Sequence, residues 1–249
     1  MSKHAIKSAL LALAMLLVSA FASAAELTLL ISNAVKTVIE ELAPQFEKAS
    51  GHKLAITYGS TNPMKARIEK GEAFDMTILG EAAVDDLIKQ GRLAASTRTI
   101  VARSGLGLAI RKGSPRPNIG TTDAFKRALL DAKSIAYLVD GLTGTYLKVL
   151  FQRLGIADNM QAKYKNARGA EAVAAGEVEL GITQISEILF QTGTELAGPL
   201  PPEIQNYTNF VSAVSAGAKQ PDAARALVRY FSSPEAARIM QLNGLEPAG

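Results

Sequence analysis

Small polar side chains occur at four points of the sequence where a strand-like run gives way to a helix-like run. The four segments are Ser32-Asn33, Ser60-Thr61-Asn62, Thr143-Gly144-Thr145, and Thr183-Gln184 with Ser186. In open α/β sheets, ligands bind beyond the carboxyl ends of the strands. Helix N-termini there present free N–H groups and a partial positive charge, which together bind anions. The pattern therefore predicts a site for a small anion, with hydroxyl and amide groups as donors.

Each segment also has a purely structural interpretation. Ser, Thr and Asn are preferred N-cap residues, and proline is typical of a first helical turn. In the second segment we expect Asn62 to cap the helix and Pro63 to start it, so that Ser60 and Thr61 face the ligand. Capping alone would explain one segment, whereas four at equivalent positions favour a ligand site. Arg168 starts a further helix and could either lie on the surface or neutralise a ligand carboxylate.

The sequence offers little support for catalysis. It contains no cysteine, and its only histidine beyond the first 25 residues is His52, which we interpret as a solvated loop residue. A Cys–His pair, a His/Cys metal cluster and a Gly-x-Ser-x-Gly turn are therefore missing. Gly105-Leu106-Gly107 lacks the third glycine of a dinucleotide-binding loop, and the sequence has no Walker-type loop. We expect no enzyme, no cofactor and no metal; an enzyme that uses carboxylates alone is the alternative.

The elements that must position these residues alternate between strand and helix patterns. Residues 26–32 form an apolar strand-like run, and the following helix has one apolar face, with Val35, Val38, Ile39, Leu42 and Phe46. Further strands are predicted at 53–58, 76–80, 134–140 and 179–184, and further helices at 63–70, 82–91, 145–154, 168–175 and 185–190. Such alternation is typical of a mostly parallel sheet covered by helices.

Two segments have the character of crossings between lobes. One is the glycine-spaced strand of ARSGLGLAIRKGSPRP, and the other is PLPPEIQNYTNFVSAVSAGAK, in which prolines precede a long strand-like run. We therefore predict two α/β lobes: lobe 1 from residues 26–105 and 211–249, and lobe 2 from 106–210. The ligand cleft would lie between them.

The first 25 residues have the pattern of a secretory signal peptide. Lys3 and Lys7 precede the apolar stretch SALLALAMLLVSAFA, which is short for a membrane span, and cleavage is expected after Ala24 or Ala25. A retained anchor helix is the alternative. The chain has 27 Lys and Arg against 23 Asp and Glu, and the leader holds two of the lysines and no acid, so the mature net charge is about +2. That excess is too small to indicate nucleic acid or an anionic membrane as a partner.

Three segments together resemble the molybdate-type periplasmic solute-binding proteins of ABC importers. They are LLISNAVKTVIEELAPQFEKASGHKLAITYGSTNPMKARIEKGEAFDMTIL, TGTYLKVLFQRLGI and GEVELGITQISE, and the resemblance extends over about residues 26–247. It implies an α/β fold of two Rossmann-like lobes joined by a two-strand hinge, the type II periplasmic-binding fold, in which lobe closure captures an anion. It also implies a periplasmic location, a membrane ABC permease as partner, and a monomer, since such proteins bind without a second copy.

The resemblance also assigns ligand residues. The family's hydroxyl ligands fall on Ser32 and on Ser60 with Thr61 beside it, and its backbone donors fall around Gly144-Thr145 and Arg168. Two positions depart from the family pattern. Gln184 stands where molybdate binders usually have a tyrosine, and Thr143 stands where a proline is common.

The function that we predict is capture of a small anion for an ABC importer. We rank molybdate or a similar tetrahedral oxyanion ahead of the other candidate ligands, mainly because the resemblance to the molybdate-type family implies it; the Ser32 and Ser60 pair also favours it. Gln184 and Arg168 favour instead a small organic acid, such as a di- or tricarboxylate or a phosphorylated acid. A sensor or accessory protein with the same fold but no role in transport is a further alternative.

Overall fold

The computed structural model describes residues 24–247. The predicted signal peptide thus lies outside the described residues, except for its last two. Ala25 already belongs to the fold, because its N–H donates to His52 Nδ1 at 3.1 Å and its carbonyl accepts from the Lys53 N–H at 2.8 Å. His52 also stacks on Phe46, with ring centroids 6.2 Å apart. His52 thus lies in a loop, as we interpreted it, but it is half-buried and not fully solvated. It ties the start of the first strand to the following helix.

Strands and helices alternate along most of the chain. The strands are β1 (Glu26–Ser32), β2 (Lys53–Gly59), β3 (Met76–Gly80), β4 (Thr99–Arg111), β5 (Ile135–Tyr137), β6 (Tyr164–Asn166), β7 (Leu180–Gln184), β8 (Thr194–Pro199), β9 (Tyr207–Val214) and β10 (Glu246–Pro247). The helices are α1 (Lys36–Ser50), α2 (Thr61–Glu69), α3 (Glu81–Lys89), α4 (Thr122–Asp131), α5 (Leu142–Arg153), α6 (Ala157–Gln161), α7 (Gly169–Ala174), α8 (Ile185–Phe190), α9 (Pro221–Phe231) and α10 (Pro234–Leu242). None of the helices within residues 24–247 is long and apolar enough to cross a lipid bilayer.

The strands are hydrogen-bonded in the order β2-β1-β3-β9-β4-β7-β5-β6, and β8 and β10 also pair with β4. Parallel pairing occurs in two groups, one formed by β1 with β2 and β3, the other by β5 with β6 and β7. The strand β4 connects the two groups. It is antiparallel to β9 as far as Gly105 and antiparallel to β7 from Leu106 onward. One 13-residue strand therefore crosses between two halves of the molecule, and the chain returns between β8 and β9.

Each half buries helices against both faces of its strands. Alternate residues of β1 point to opposite sides, as a strand requires: Leu29 and Ile31 pack with α1, α9 and α10, whereas Leu30 packs with α2 and α3. In the other half, Leu108 of β4 packs with α4 and α5, while Ala109 packs with α7 and α8. The fold is thus the predicted α/β arrangement of two lobes joined by a hinge. The lobe boundaries, 26–105 with 211–249 and 106–210, stay a prediction.

The helix α2 begins earlier than the sequence pattern predicted. Ser60 occupies its N-cap position and Thr61 is its first residue, so Asn62 is not the cap. The Asn62 amide instead reaches across to the other lobe, where Nδ2 donates to the carbonyl of Asp140 at 2.7 Å. The N-cap prediction failed because a tertiary hydrogen bond, which local propensity does not contain, engages the asparagine.

The region between β5 and α5 also differs from the prediction. The strand ends at Tyr137 and not at Asp140, and the helix begins at Leu142, three residues before the expected start. Gly141 lies in the N-cap position with an extended backbone, and its N–H donates to the carbonyl of Leu138. The chain therefore leaves the sheet earlier than its apolar pattern suggests, and Thr143 falls within the first turn of α5.

Candidate functional site

The strand ends and helix starts of both lobes meet at a cavity of about 50 Å³. By the ~10–15 Å³ that one water needs on this measure, the space suits roughly four waters or a small anion. Its polar lining falls into two sets of side chains. The hydroxyl wall, from lobe 1, consists of Ser32, Asn33, Ser60 and Thr61. The charged wall, from lobe 2, consists of Thr143, Arg168, Thr183, Gln184 and Glu187.

The hydroxyl wall is built on two helix starts. Ser32 ends β1 and is buried, and its Oγ accepts a long hydrogen bond of 3.4 Å from the Ala34 N–H. Ser60 precedes α2 and makes no side-chain capping bond. The buried Thr61 accepts from the Gly80 N–H at 3.2 Å, which leaves its hydroxyl proton for another acceptor. This wall offers neutral donors to an anion.

Two glycines bring Arg168 to the charged wall. Arg168 lies in the N-cap position of α7. A Cβ on Gly181 of β7 would overlap the carbonyl oxygen of Gly169, so only glycine lets the start of α7 rest directly on the strand. The Arg168 side chain is 36% exposed, and its Nη1 pairs with Glu171 at 2.8 Å. Its Nη2 lies 4.0 Å from Glu187, so the guanidinium borders the cavity.

Glu187 is a site residue that the sequence analysis missed. It lies in the first turn of α8, where the hydroxyl of Thr183 donates to its Oε2, and its side chain is 21% exposed. Burial raises the pKa of Glu187, against the opposing effects of the Thr183 hydroxyl and the Arg168 guanidinium. The available signal was the spacing of Gln184 and Glu187, which matches the N-cap and N3 positions of a capping box. We had treated this segment only as a helix start.

Gln184 is 4% exposed and lies between the cavity and the hinge. Its Nε2 donates to Thr208 Oγ1 at 3.2 Å, whereas its Oε1 is buried and meets no partner among residues 24–247. An unsatisfied buried acceptor is unfavourable by about 1–3 kcal/mol. A ligand that carries a hydroxyl or a protonated carboxyl would donate to Gln184 Oε1 and satisfy it. A rotation of the Gln184 amide by a half-turn would also satisfy Oε1, because the Thr208 hydroxyl would then donate to it.

The third predicted segment is only partly at the cavity. Thr143 lines it, but Gly144 packs against the chain that follows β5, where a Cβ would overlap the carbonyl of Leu138. Thr145 is exposed, and its hydroxyl donates to the Gly141 carbonyl at 3.1 Å. The structure therefore brings together seven of the nine predicted site residues and leaves Gly144 and Thr145 outside the lining. Their role as ligands stays a prediction.

Two hydrogen bonds join the lobes beside the cavity. One is the bond from Asn62 to the Asp140 carbonyl, and the other runs from Ser186 Oγ to the Ala34 carbonyl at 2.7 Å. Both donors belong to helix starts that also supply wall residues. The two walls are thus held face to face, in a closed arrangement.

A smaller space of about 30 Å³ adjoins the cavity and shares Asn33, Arg168 and Glu187 with it. Lys36 also lines this space, and its Nζ lies 5.6 Å and 5.7 Å from the ring centroids of Tyr58 and Phe190. The two spaces therefore combine neutral donors, two cations and two carboxyl groups, Glu171, which pairs with Arg168, and Glu187. This set suits a multiply charged anion and proton exchange with it. No group of His, Asp and Glu within residues 24–247 is arranged to hold a metal ion.

Known proteins of similar sequence cover nearly the whole chain. Aconitate isomerase of Pseudomonas sp. is 34% identical over 230 residues, which are 89% of this chain and 87% of that protein. Molybdate-binding protein ModA of Azotobacter vinelandii is 24% identical over 240 residues, 92% of each chain. The solved periplasmic molybdate-binding protein of Azotobacter vinelandii superposes with a TM-score of 0.73 at 20% identity, covering 90% of this chain and all of that chain.

The model of the family described as bacterial extracellular solute-binding protein matches residues 27–246. The match spans both lobes and the hinge, and the solved relative has the type II periplasmic-binding fold. The chain therefore belongs to the bacterial extracellular solute-binding protein family, and it is similar to members that bind molybdate.

Proposed function

We propose that this protein binds a small polycarboxylate of the aconitate kind in the cleft and interconverts its double-bond isomers. The observation that carries the proposal is the pair of Arg168 and Glu187 on the charged wall, 4.0 Å apart. A guanidinium matches a ligand carboxylate in a planar, two-pronged geometry. A carboxyl group beside it is of little use for holding an anion, but it can exchange a proton with a bound acid.

The shape of the site supports a ligand with several carboxylates. Arg168 lines both the main cavity and the smaller space beside it, and Lys36 lines only the smaller one. A ligand with carboxylates at two ends could occupy both spaces, with one end near each cation and the hydroxyl wall around the first. A tetrahedral oxyanion is too short to use Lys36 as well.

The relative at 34% identity, whose name states that it isomerises aconitate, supports the same ligand class. The proposal departs from our expectation that the protein is no enzyme, and it adopts the alternative of an enzyme that uses carboxylates alone. The signal-peptide pattern of the first 25 residues supports a periplasmic location. Family members bind small anions and work with ABC permeases, so delivery of the ligand to a permease is compatible with this role.

A tetrahedral oxyanion is the second candidate ligand. The Ser32 and Ser60 hydroxyls at two helix starts favour it, as does the volume of about 50 Å³, which suits a five-atom anion. The likeness to molybdate-binding proteins, at 24% and 20% identity, supports it as well. In this case the protein would capture molybdate or a similar oxyanion for an ABC importer, as the sequence analysis predicted.

A thermal-shift titration of the mature protein separates the two candidates. The panel is trans-aconitate, cis-aconitate, citrate, molybdate, tungstate and sulfate. A ligand at 100 times its dissociation constant adds about 2.7 kcal/mol to the native state, which gives a clear shift. We expect the aconitates to stabilise the protein, and proton NMR to show conversion of one isomer into the other. A shift with molybdate or tungstate alone would overturn the proposal in favour of the second candidate.

A further inference from the structure

We propose that Glu187 is the group that moves the proton in the isomerisation, taking it from one carbon of the ligand and returning it to another. The inference rests on the proposed function and assigns a residue to it. Four observations support it, namely the position of the carboxyl group, its hydrogen bonds, its electrostatic surroundings and the chemistry of the ligand.

The position of Glu187 suits the middle of a ligand. Its side chain lines both the main cavity and the adjoining smaller space, as does Arg168. A polycarboxylate that extends from the hydroxyl wall toward Lys36 must pass the shared part of the lining. The carboxyl of Glu187 would therefore meet the carbons between the ligand carboxylates, where proton transfer takes place.

Hydrogen bonds from the Thr183 hydroxyl and from the backbone N–H of Gln184 orient the Glu187 carboxyl group. Thr183 donates its hydroxyl to Oε2, and Oε1 lies 4.0 Å from Arg168 Nη2, beyond hydrogen-bond distance. A base held at one oxygen by a residue on the rigid strand β7 is oriented without being neutralised. Thr183 is therefore a positioning residue for Glu187.

The charges around Glu187 favour reversible protonation. Burial raises the pKa of Glu187 and the neighbouring Glu171 acts in the same direction, while the Thr183 hydroxyl, Arg168 and the backbone N–H of Gln184 lower it. Lys36 lines the same small space and adds a positive charge. A carboxyl group whose pKa is higher than usual is a stronger base when ionised, and it returns the proton readily.

The chemistry needs only one such group. An aconitate has a central carbon joined by a double bond to one arm and by a single bond to a methylene on the other arm. Glu187, as the carboxylate, takes a methylene proton, and the electron pair of that C–H bond forms the new double bond to the central carbon. The electron pair of the old double bond takes the proton back from Glu187 at the other arm. The two arms carry the same groups, so the geometry of the new double bond alone decides between the cis and trans products.

Arg168 has a defined part in this step. Negative charge passes from the methylene carbon into the conjugated carboxylate during the transfer. A guanidinium at that carboxylate is complementary to the charge as it develops, which lowers the barrier. The base Glu187 and the cation Arg168 thus lie on the same wall. Arg168 occupies the N-cap position of α7, and Glu187 lies in the first turn of α8.

The experiment compares the wild type with Glu187→Gln, with Glu177→Gln as the matched control on the same lobe, where Glu177 pairs with Lys165 on the surface. Turnover of trans-aconitate is followed by proton NMR, and binding by thermal shift. We expect Glu187→Gln to lose at least 100-fold in turnover, in the range typical of general acid–base groups, and to keep the ligand-induced shift. Glu177→Gln should behave as the wild type. The kcat/KM of the wild type should rise with pH through a pKa higher than that of an ordinary glutamate.

The outcomes are distinguishable. Turnover by Glu187→Gln at the wild-type rate would overturn this inference and leave the proposed function standing. Loss of both turnover and ligand binding in Glu187→Gln would assign Glu187 to holding the ligand or capping α8, which also overturns it. Binding of trans-aconitate by the wild type without conversion would overturn the proposed isomerisation, and this inference with it.

Discussion

The two walls of the cleft are built in the same way but differ in chemistry. On the hydroxyl wall, Ser32 and Ser60 lie at helix starts and carry neutral donors. On the charged wall, Arg168 and Glu187 also lie at helix starts, but they bring a guanidinium and a carboxyl group. Neutral donors serve any anion, whereas a fixed cation and a carboxyl group discriminate among anions and can move protons. We infer that the hydroxyl wall binds anions in general and that the charged wall determines which anion binds best.

Replacement of Arg168 by Met is expected to have the largest effect. The variant keeps an unbranched apolar stem and removes the guanidinium charge, so trans-aconitate should bind about 2–3 kcal/mol more weakly, or roughly 30- to 150-fold. Molybdate binding, measured on the same samples by calorimetry, should change much less. The exposed Arg153→Met serves as the control. Equal losses for both ligands would show that Arg168 does not select between them.

Replacement of Ser60 by Ala is expected to weaken every anion by a similar amount. The loss of one charge-assisted hydrogen bond should reduce affinity by about 1–2 kcal/mol, roughly 5- to 30-fold. Calorimetry with each ligand that stabilises the wild type measures it, and the exposed Ser96→Ala is the control. A variant that binds as well as the wild type would remove Ser60 from the hydroxyl wall.

Replacement of Asn62 by Ala tests the closed arrangement of the two walls. The bond from Asn62 to the Asp140 carbonyl joins the lobes without lining the cavity. Its loss should reduce affinity by about 1 kcal/mol for carboxylate and oxyanion alike, because it acts through closure. Small-angle scattering should show a larger radius of gyration before ligand is added. The surface variant Asn159→Ala should show neither change.

The smallest expected effect is on the pH dependence of the free energy of unfolding. Glu187 in lobe 2 and Asp85 in lobe 1 should contribute to it with opposite signs. Since the pKa of Glu187 is raised in the folded state, its contribution is present below the ordinary value near 4.5 and is lost as pH rises through the raised pKa. The melting temperature of the wild type should therefore fall relative to Glu187→Gln as pH rises.

Asp85 in lobe 1 provides the opposite case. The Arg98 side chain lowers its pKa from the ordinary 3.8. Its contribution is present above that ordinary value and is lost as pH falls through the lowered pKa. The wild type should therefore lose its advantage over Asp85→Asn in acid. Melting curves at several pH values check both signs, and the same sign for both variants would contradict the assignment.

Much of the fold could be predicted because its local signals agree with one another. The apolar run at residues 26–32 forms β1 with the predicted bounds, and Val38, Ile39, Leu42 and Phe46 lie on the buried face of α1. Predictions failed where a tertiary contact outweighed a local preference. Asn62 looks like an N-cap, yet it bonds to the other lobe, and the first turn of α5 includes Gly144 because that glycine packs on the backbone after β5.

The candidate site could be predicted in part for the same reason. Ser32 and Gln184 end strands and Ser60 follows one, so their positions indicate a common edge of the sheet, and all three line the cavity. Glu187 carries only the weak signal of its capping-box spacing from Gln184, because an acid in a first helical turn is ordinary. Only its burial beside Thr183 and Arg168 distinguishes it from the other acids in first helical turns.

By itself the sequence determined the alternating strands and helices, the hydroxyl groups at the strand ends and the family. The strands, the helices and the hydroxyl positions follow from period and propensity, which act over a few residues. The family follows from similarity to known sequences over residues 27–246. The tertiary structure alone decided which residues face each other across the cleft. Hinge strand β4 and the hydrogen bonds from Asn62 and Ser186, which span 78 and 152 residues of sequence, bring the two walls together. Burial then raises the pKa of Glu187, since the solvation of a carboxyl group depends on everything packed around it.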